Sequence, residues 1–135
     1  MAQLVYPHAR DAFARGEIDW PDDDFLVILT RPAYTLNPAH EFRDDVTNVL
    51  ATASLSGMTI VGNGVLDADD CSVSGVTAAE SVGRVLIAHD TGDAATDRLL
   101  WATDIHTDGT NILRVSDGNP IVVAWDNGPY RIFQV

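Results

Sequence analysis

Ser81-Val82-Gly83-Arg84-Val85-Leu86-Ile87-Ala88-His89 is the stretch that decides how this chain folds. In an extended strand successive side chains point to opposite faces, so Val82, Leu86 and Ala88 share one face and Val85 and Ile87 the other. Both faces are apolar, which calls for a strand covered on both sides. The turn signal Asp90-Thr91-Gly92-Asp93 follows, and a second strand is expected over Arg98 to Ile105.

The same pattern spreads outward. Phe25-Leu26-Val27-Ile28-Leu29-Thr30 has the length and β-branched content of a buried strand. From Leu50 onwards short apolar runs alternate with turn residues. Met58 to Val61 turns at Gly62-Asn63-Gly64 and returns through Val65-Leu66, a hairpin. Cys71 to Ser74 is a short edge strand. Pro120 to Trp125 is expected to meet Arg131 to Val135 across the Asn-Gly turn of Asp126-Asn127-Gly128-Pro129.

Helical signals are confined to the first third. Pro7 to Arg15 has a proline at its start, Ala9, Ala12 and Phe13 at helical spacing and Gly16 just past its end; Phe13 should face the core, with the alanines allowing close approach. Asn37-Pro38-Ala39-His40 predicts a second, single-turn helix through Asp44. The chain is therefore expected to form one mainly β domain over residues 1–135, an antiparallel β-sandwich or jelly-roll-like barrel with a short N-terminal helix.

Composition restricts function. Twenty acidic residues face eight basic ones, a net charge of −12, and such a surface repels nucleic acid and anionic membranes. All the basic residues are arginine, whose planar fork suits bidentate pairing with carboxylates. The opening MAQLVYPHAR has Pro, His and Arg where a secretory signal needs an apolar run, and no stretch is long enough for membrane insertion. Cys71 is the only cysteine, so no intrachain disulfide or thiolate cluster can form, and it reads as a small core residue.

No motif carries chemistry. Asp67, Asp69, Asp70 and Asp90 could supply a glycosidase pair, yet they sit in turns where aspartate bonds nearby backbone. Ser54-Leu55-Ser56-Gly57 and Ser72-Val73-Ser74-Gly75 lack the first glycine of a nucleophile elbow, and without lysine there is no phosphate loop. Asp22-Asp23-Asp24 lacks the spacing of a calcium loop, and the four histidines are scattered. The sequence thus predicts no enzyme, no metal and no cofactor. Among the aromatics Trp125 reads as core, while Trp20, Tyr34 and Tyr130 are the candidates for an interface or glycan contact.

Several segments together carry a family likeness: Leu4 to Ala9, Gly16 to Trp20, Asp24 to Leu29, Ala33 to Phe42, Asp44 to Val46, Gly64 to Asp70, Val85 to Ile87, His89 to Gly92, Thr96 to Leu100, Val122 to Gly128 and Arg131 to Phe133. In these the chain resembles small virion structural proteins of long-tailed bacteriophages, especially actinobacteriophages, described as minor tail or particle-associated proteins. The resemblance implies a particle subunit assembled in the host cytoplasm, present in many copies or as a homo-oligomer, with other virion proteins as partners. A capsid decoration protein and a host-surface carbohydrate-binding module are the alternatives. Thr47 to Leu50 and Asn111 to Asp117 depart from the family pattern, which leaves the contacts of those loops open.

Overall fold

The computed structural model describes residues 3–106, 109–126 and 131–135. In chain order its elements are β1 (Gln3–Val5), α1 (Pro7–Ala14), β2 (Phe25–Thr30), β3 (Val49–Ser54), β4 (Thr59–Gly62), β5 (Val65–Asp67) and β6 (Cys71–Val73). They continue as β7 (Ser81–Val82), β8 (Arg84–His89), β9 (Leu99–Thr103), β10 (Arg114–Val115), β11 (Ile121–Val123) and β12 (Phe133–Gln134). The fold is mainly β and every strand pair is antiparallel.

A five-stranded sheet in the order β1-β9-β8-β2-β3 forms the centre. Its three inner strands are the apolar runs picked out from the sequence, and they are buried almost throughout. Cover comes from smaller sheets, β12-β5-β4, β11-β6 and β10-β7, in a sandwich-like arrangement. Phe133 of β12 stacks on Trp101 of β9 with ring centres 6.2 Å apart, and Trp125 meets Trp101 edge-on at 6.0 Å. By strand alternation Leu100 and Ala102 lie on the opposite face, and α1 packs against β9.

Helix α1 forms where expected. Pro7 occupies its first turn, and its end is a Schellman motif: Gly16 at φ 74° donates to Phe13 O and Glu17 donates to Ala12 O. Ala9 and Ala12 are buried, whereas Phe13 is only half-buried at the rim, because the two small residues already bring the helix backbone close to the sheet.

Three expectations are corrected. The strand expected over Ser81 to His89 breaks at Gly83, whose N–H bonds Thr30 O and whose Cα faces Pro32 so closely that a Cβ would lie 2.6 Å from Pro32 Cα. Before this point β7 pairs with β10; after it β8 pairs with β2. The last hairpin does not form: β11 pairs with β6, and β12 pairs with β5, where Phe133 is buried between Trp20 and Trp101. Its expected Asn-Gly turn lies outside the described residues. Asn37 caps Ala39 N–H, but no α-helix follows. Glu41 and Phe42 instead donate to the Asp45 carboxylate, Phe42 bridges to Arg98, and a 3-10 turn spans Arg43–Asp45.

Candidate functional site

The aromatic candidates separate once placed. Trp20 is buried, and its indole N–H lies 3.0 Å from both Thr59 O and Asp67 O, linking β4 to β5. Its ring also packs on Phe25 at 4.6 Å. Tyr34 is buried too, its hydroxyl 3.3 Å from that of Tyr6 and 2.9 Å from His40 Nδ1. Burial pushes both phenols above their ordinary range. Both side chains are buried rather than presented on the surface as expected, because each satisfies its polar tip inside the fold. Tyr130 lies outside the described residues. Trp125 is buried as expected, its indole donating to Asp69 O and its backbone N–H to the Asp70 carboxylate.

The turn aspartates are occupied locally. Asp67 faces Arg131 at 3.5 Å, Asp90 accepts Gly92 N–H, and Asp23 accepts Asp19 N–H and pairs with His89 at 3.1 Å. Among the described residues no group of three or more His, Cys, Asp or Glu stands close enough to hold a metal ion. Cys71 is buried, and burial pushes its thiol up, away from the reactive thiolate.

Two features remain that could receive something. The first is apolar surface on strands with an open edge. Ile60 and Val61 of β4 are 53% and 52% exposed, and β4 is the outer strand of its sheet. A shallow hollow beside them is lined by Phe13, Ile18, Trp20, Ile60, Leu66 and Val135. Leu113, Val115 and Val122 are exposed in the same way around β10 and β11.

The second is a cavity of about 480 Å³ between the five-stranded sheet and the β10 and β11 segments. Val85, Ile112, Ile121, Trp101 and Trp125 give it apolar walls; Arg114, Arg131 and His106 also line it. The sequence reading missed this site. Only the tryptophans and the unusual run of apolar residues at Ile121 to Trp125 hinted at it.

No family model, no curated protein and no solved structure matches this chain.

Proposed function

We propose that this protein is a structural component of a tailed bacteriophage particle, a minor tail or tail-tip subunit that binds other virion proteins. The observation that carries the reading is the pair Ile60 and Val61, half-exposed on an outer strand. An apolar edge strand offers unpaired backbone groups and sticky side chains together, a combination that proteins cover or blunt unless another chain is to dock there. Strand addition at β4 would satisfy both. The net charge of −12 favours a neutral or basic partner and fits a surface that avoids packaged DNA.

The test is particle incorporation. In the phage encoding this chain, the double variant Ile60→Asp/Val61→Asp should fold with stability within about 1 kcal/mol of the parent, since each exposed change shifts it by less than about 0.5 kcal/mol. It should nevertheless be lost from purified particles by quantitative mass spectrometry. Absence of the unmodified chain from particles overturns the assignment, and full incorporation of the variant overturns the docking edge.

A further inference from the structure

We infer that the chain received by the β4 edge is a second copy of this protein, added antiparallel about a two-fold axis at Ile60. The inference rests on the reading of β4 as a docking edge and names its occupant. Backbone directions come first. In an antiparallel ladder, two facing residues either exchange their hydrogen bonds or both turn their backbone groups away from each other. Ile60 faces Leu66. Leu66 O accepts from Ile132 N–H on the β12 side, so Leu66 turns away from β4, and Ile60 turns its N–H and C=O away from β5, off the edge of the sheet. Among the described residues no backbone bond from outside the β4–β5 pair reaches them. The register slips between Ile60 and Gly62, which centres regular pairing on Ile60 and not on Val61.

A two-fold axis beside Ile60 matches its N–H to the C=O of the same residue in the second copy, and the reverse, so one residue supplies two bonds. The two Ile60 side chains then stand next to each other on the face that carries the hollow lined by Phe13, Ile18, Trp20, Leu66 and Val135. Charge selects the occupant. From Val46 to Leu66 the sequence has no charged residue and no histidine, the longest such run in a chain with twenty acidic and eight basic residues, and β4 lies within it. Outer strands are commonly guarded by charged side chains that keep other strands off, and this one is not. A basic partner is held by carboxylates, which this strand does not offer. A partner that itself carries −12 is repelled where carboxylates meet, and an uncharged strand is where two such bodies can approach.

Sedimentation equilibrium of the purified full chain at micromolar concentrations tests the pairing. A reversible monomer–dimer equilibrium is expected, and it should tighten as salt rises to physiological strength, because salt screens the repulsion between two acidic bodies; a contact between opposite charges would loosen. Ile60→Pro removes the outward N–H and leaves the β4–β5 bonds alone. With both copies changed, both bonds across the axis are lost, and the dimer should weaken about tenfold or more. Ile60→Asp/Val61→Asp should leave only monomer, whereas Leu113→Asp, at an equally exposed apolar residue outside β4, should leave the equilibrium unchanged. If circular dichroism shows Ile60→Pro unfolded, the double aspartate variant decides. A chain that stays monomeric, a dimer that loosens with salt, or one indifferent to the β4 substitutions or equally sensitive to Leu113→Asp overturns the inference. If the unmodified chain is monomeric while the double variant is still lost from particles, the second copy is overturned and the docking edge stands. A salt-tightened, β4-dependent dimer from a chain absent from particles supports the inference and overturns the particle assignment alone.

Discussion

Replacing Asp97 by asparagine tests the polar frame that holds the loop before β3 against the turn joining β8 to β9. Asp97 is fully buried, and its carboxylate accepts from Arg43 Nε at 2.7 Å, from the Thr91 backbone N–H at 2.6 Å and from the Thr91 hydroxyl at 2.7 Å. An amide has the same shape but only one acceptor oxygen. Turned toward Thr91 it presents N–H to Arg43, and turned toward Arg43 it presents N–H to the Thr91 amide. Removing one partner of a buried pair costs roughly 3–5 kcal/mol, and because the Arg43 side chain keeps 27% of its exposure the lower end applies, about 3 kcal/mol. With a urea slope of roughly 1.5–2 kcal/mol per molar, the midpoint should fall by about 1.5–2 M. Arg43→Met and the double variant complete a cycle in which the two changes together cost less than their sum.

The pH dependence follows from the same contacts. Burial opposes the charge on Asp97, but the two bonds from Thr91 and the Arg43 guanidinium outweigh it and hold the carboxyl below its usual range. A depressed folded value means the contribution is present above the unfolded value of about 3.9 and is lost as pH falls through the folded one. Parent and Asp97→Asn stabilities should therefore converge as the solution is acidified below about pH 4. A midpoint shift under about 0.5 M at neutral pH, or a gap that persists in acid, would refute the reasoning.

Other substitutions probe the rest of the frame. Trp20→Ala should cost about 3–5 kcal/mol in urea denaturation, as for a buried aromatic, where a surface contact residue would cost less than about 0.5 kcal/mol. Gly83→Ala places a methyl against the Pro32 backbone and should lower stability by about 1–3 kcal/mol, a fall in Tm of roughly 4–10 °C by calorimetry. Cys71 should label slowly with a thiol reagent in the native chain and rapidly in denaturant, because its sulfur is buried and 3.6 Å from Ser54 O.

Strand existence was legible because it is written locally, in runs apolar on both faces such as Phe25 to Leu29 and Val85 to Ala88. Strand partnership was not. The Asn-Gly pair before Tyr130 favours a hairpin between its flanks, yet Phe133 gains more by packing on Trp101 and Trp20, and the chain takes β5 as its neighbour instead. Gly83 shows the same limit at one residue. Its role is set by Pro32, fifty-one positions away, and nothing in the surrounding Val-Gly-Arg announces that approach.

The site residues failed for a related reason. Trp20 sits beside the turn Pro21 to Asp24, which suggested exposure, but a turn fixes only the backbone and leaves the side chain free to fold inward. Trp20 does so because two carbonyls of the β4–β5 hairpin await a donor, and Tyr34 because Tyr6 and His40 meet its hydroxyl. The cavity is less legible still, since it marks where packing does not close: its walls come from Leu29, Val85, Trp101 and Ile121, on separate strands. Trp101, unremarkable in the sequence, is the tryptophan whose buried N–H meets no acceptor, while Trp20, which looked better placed for a ligand, spends its own on the fold.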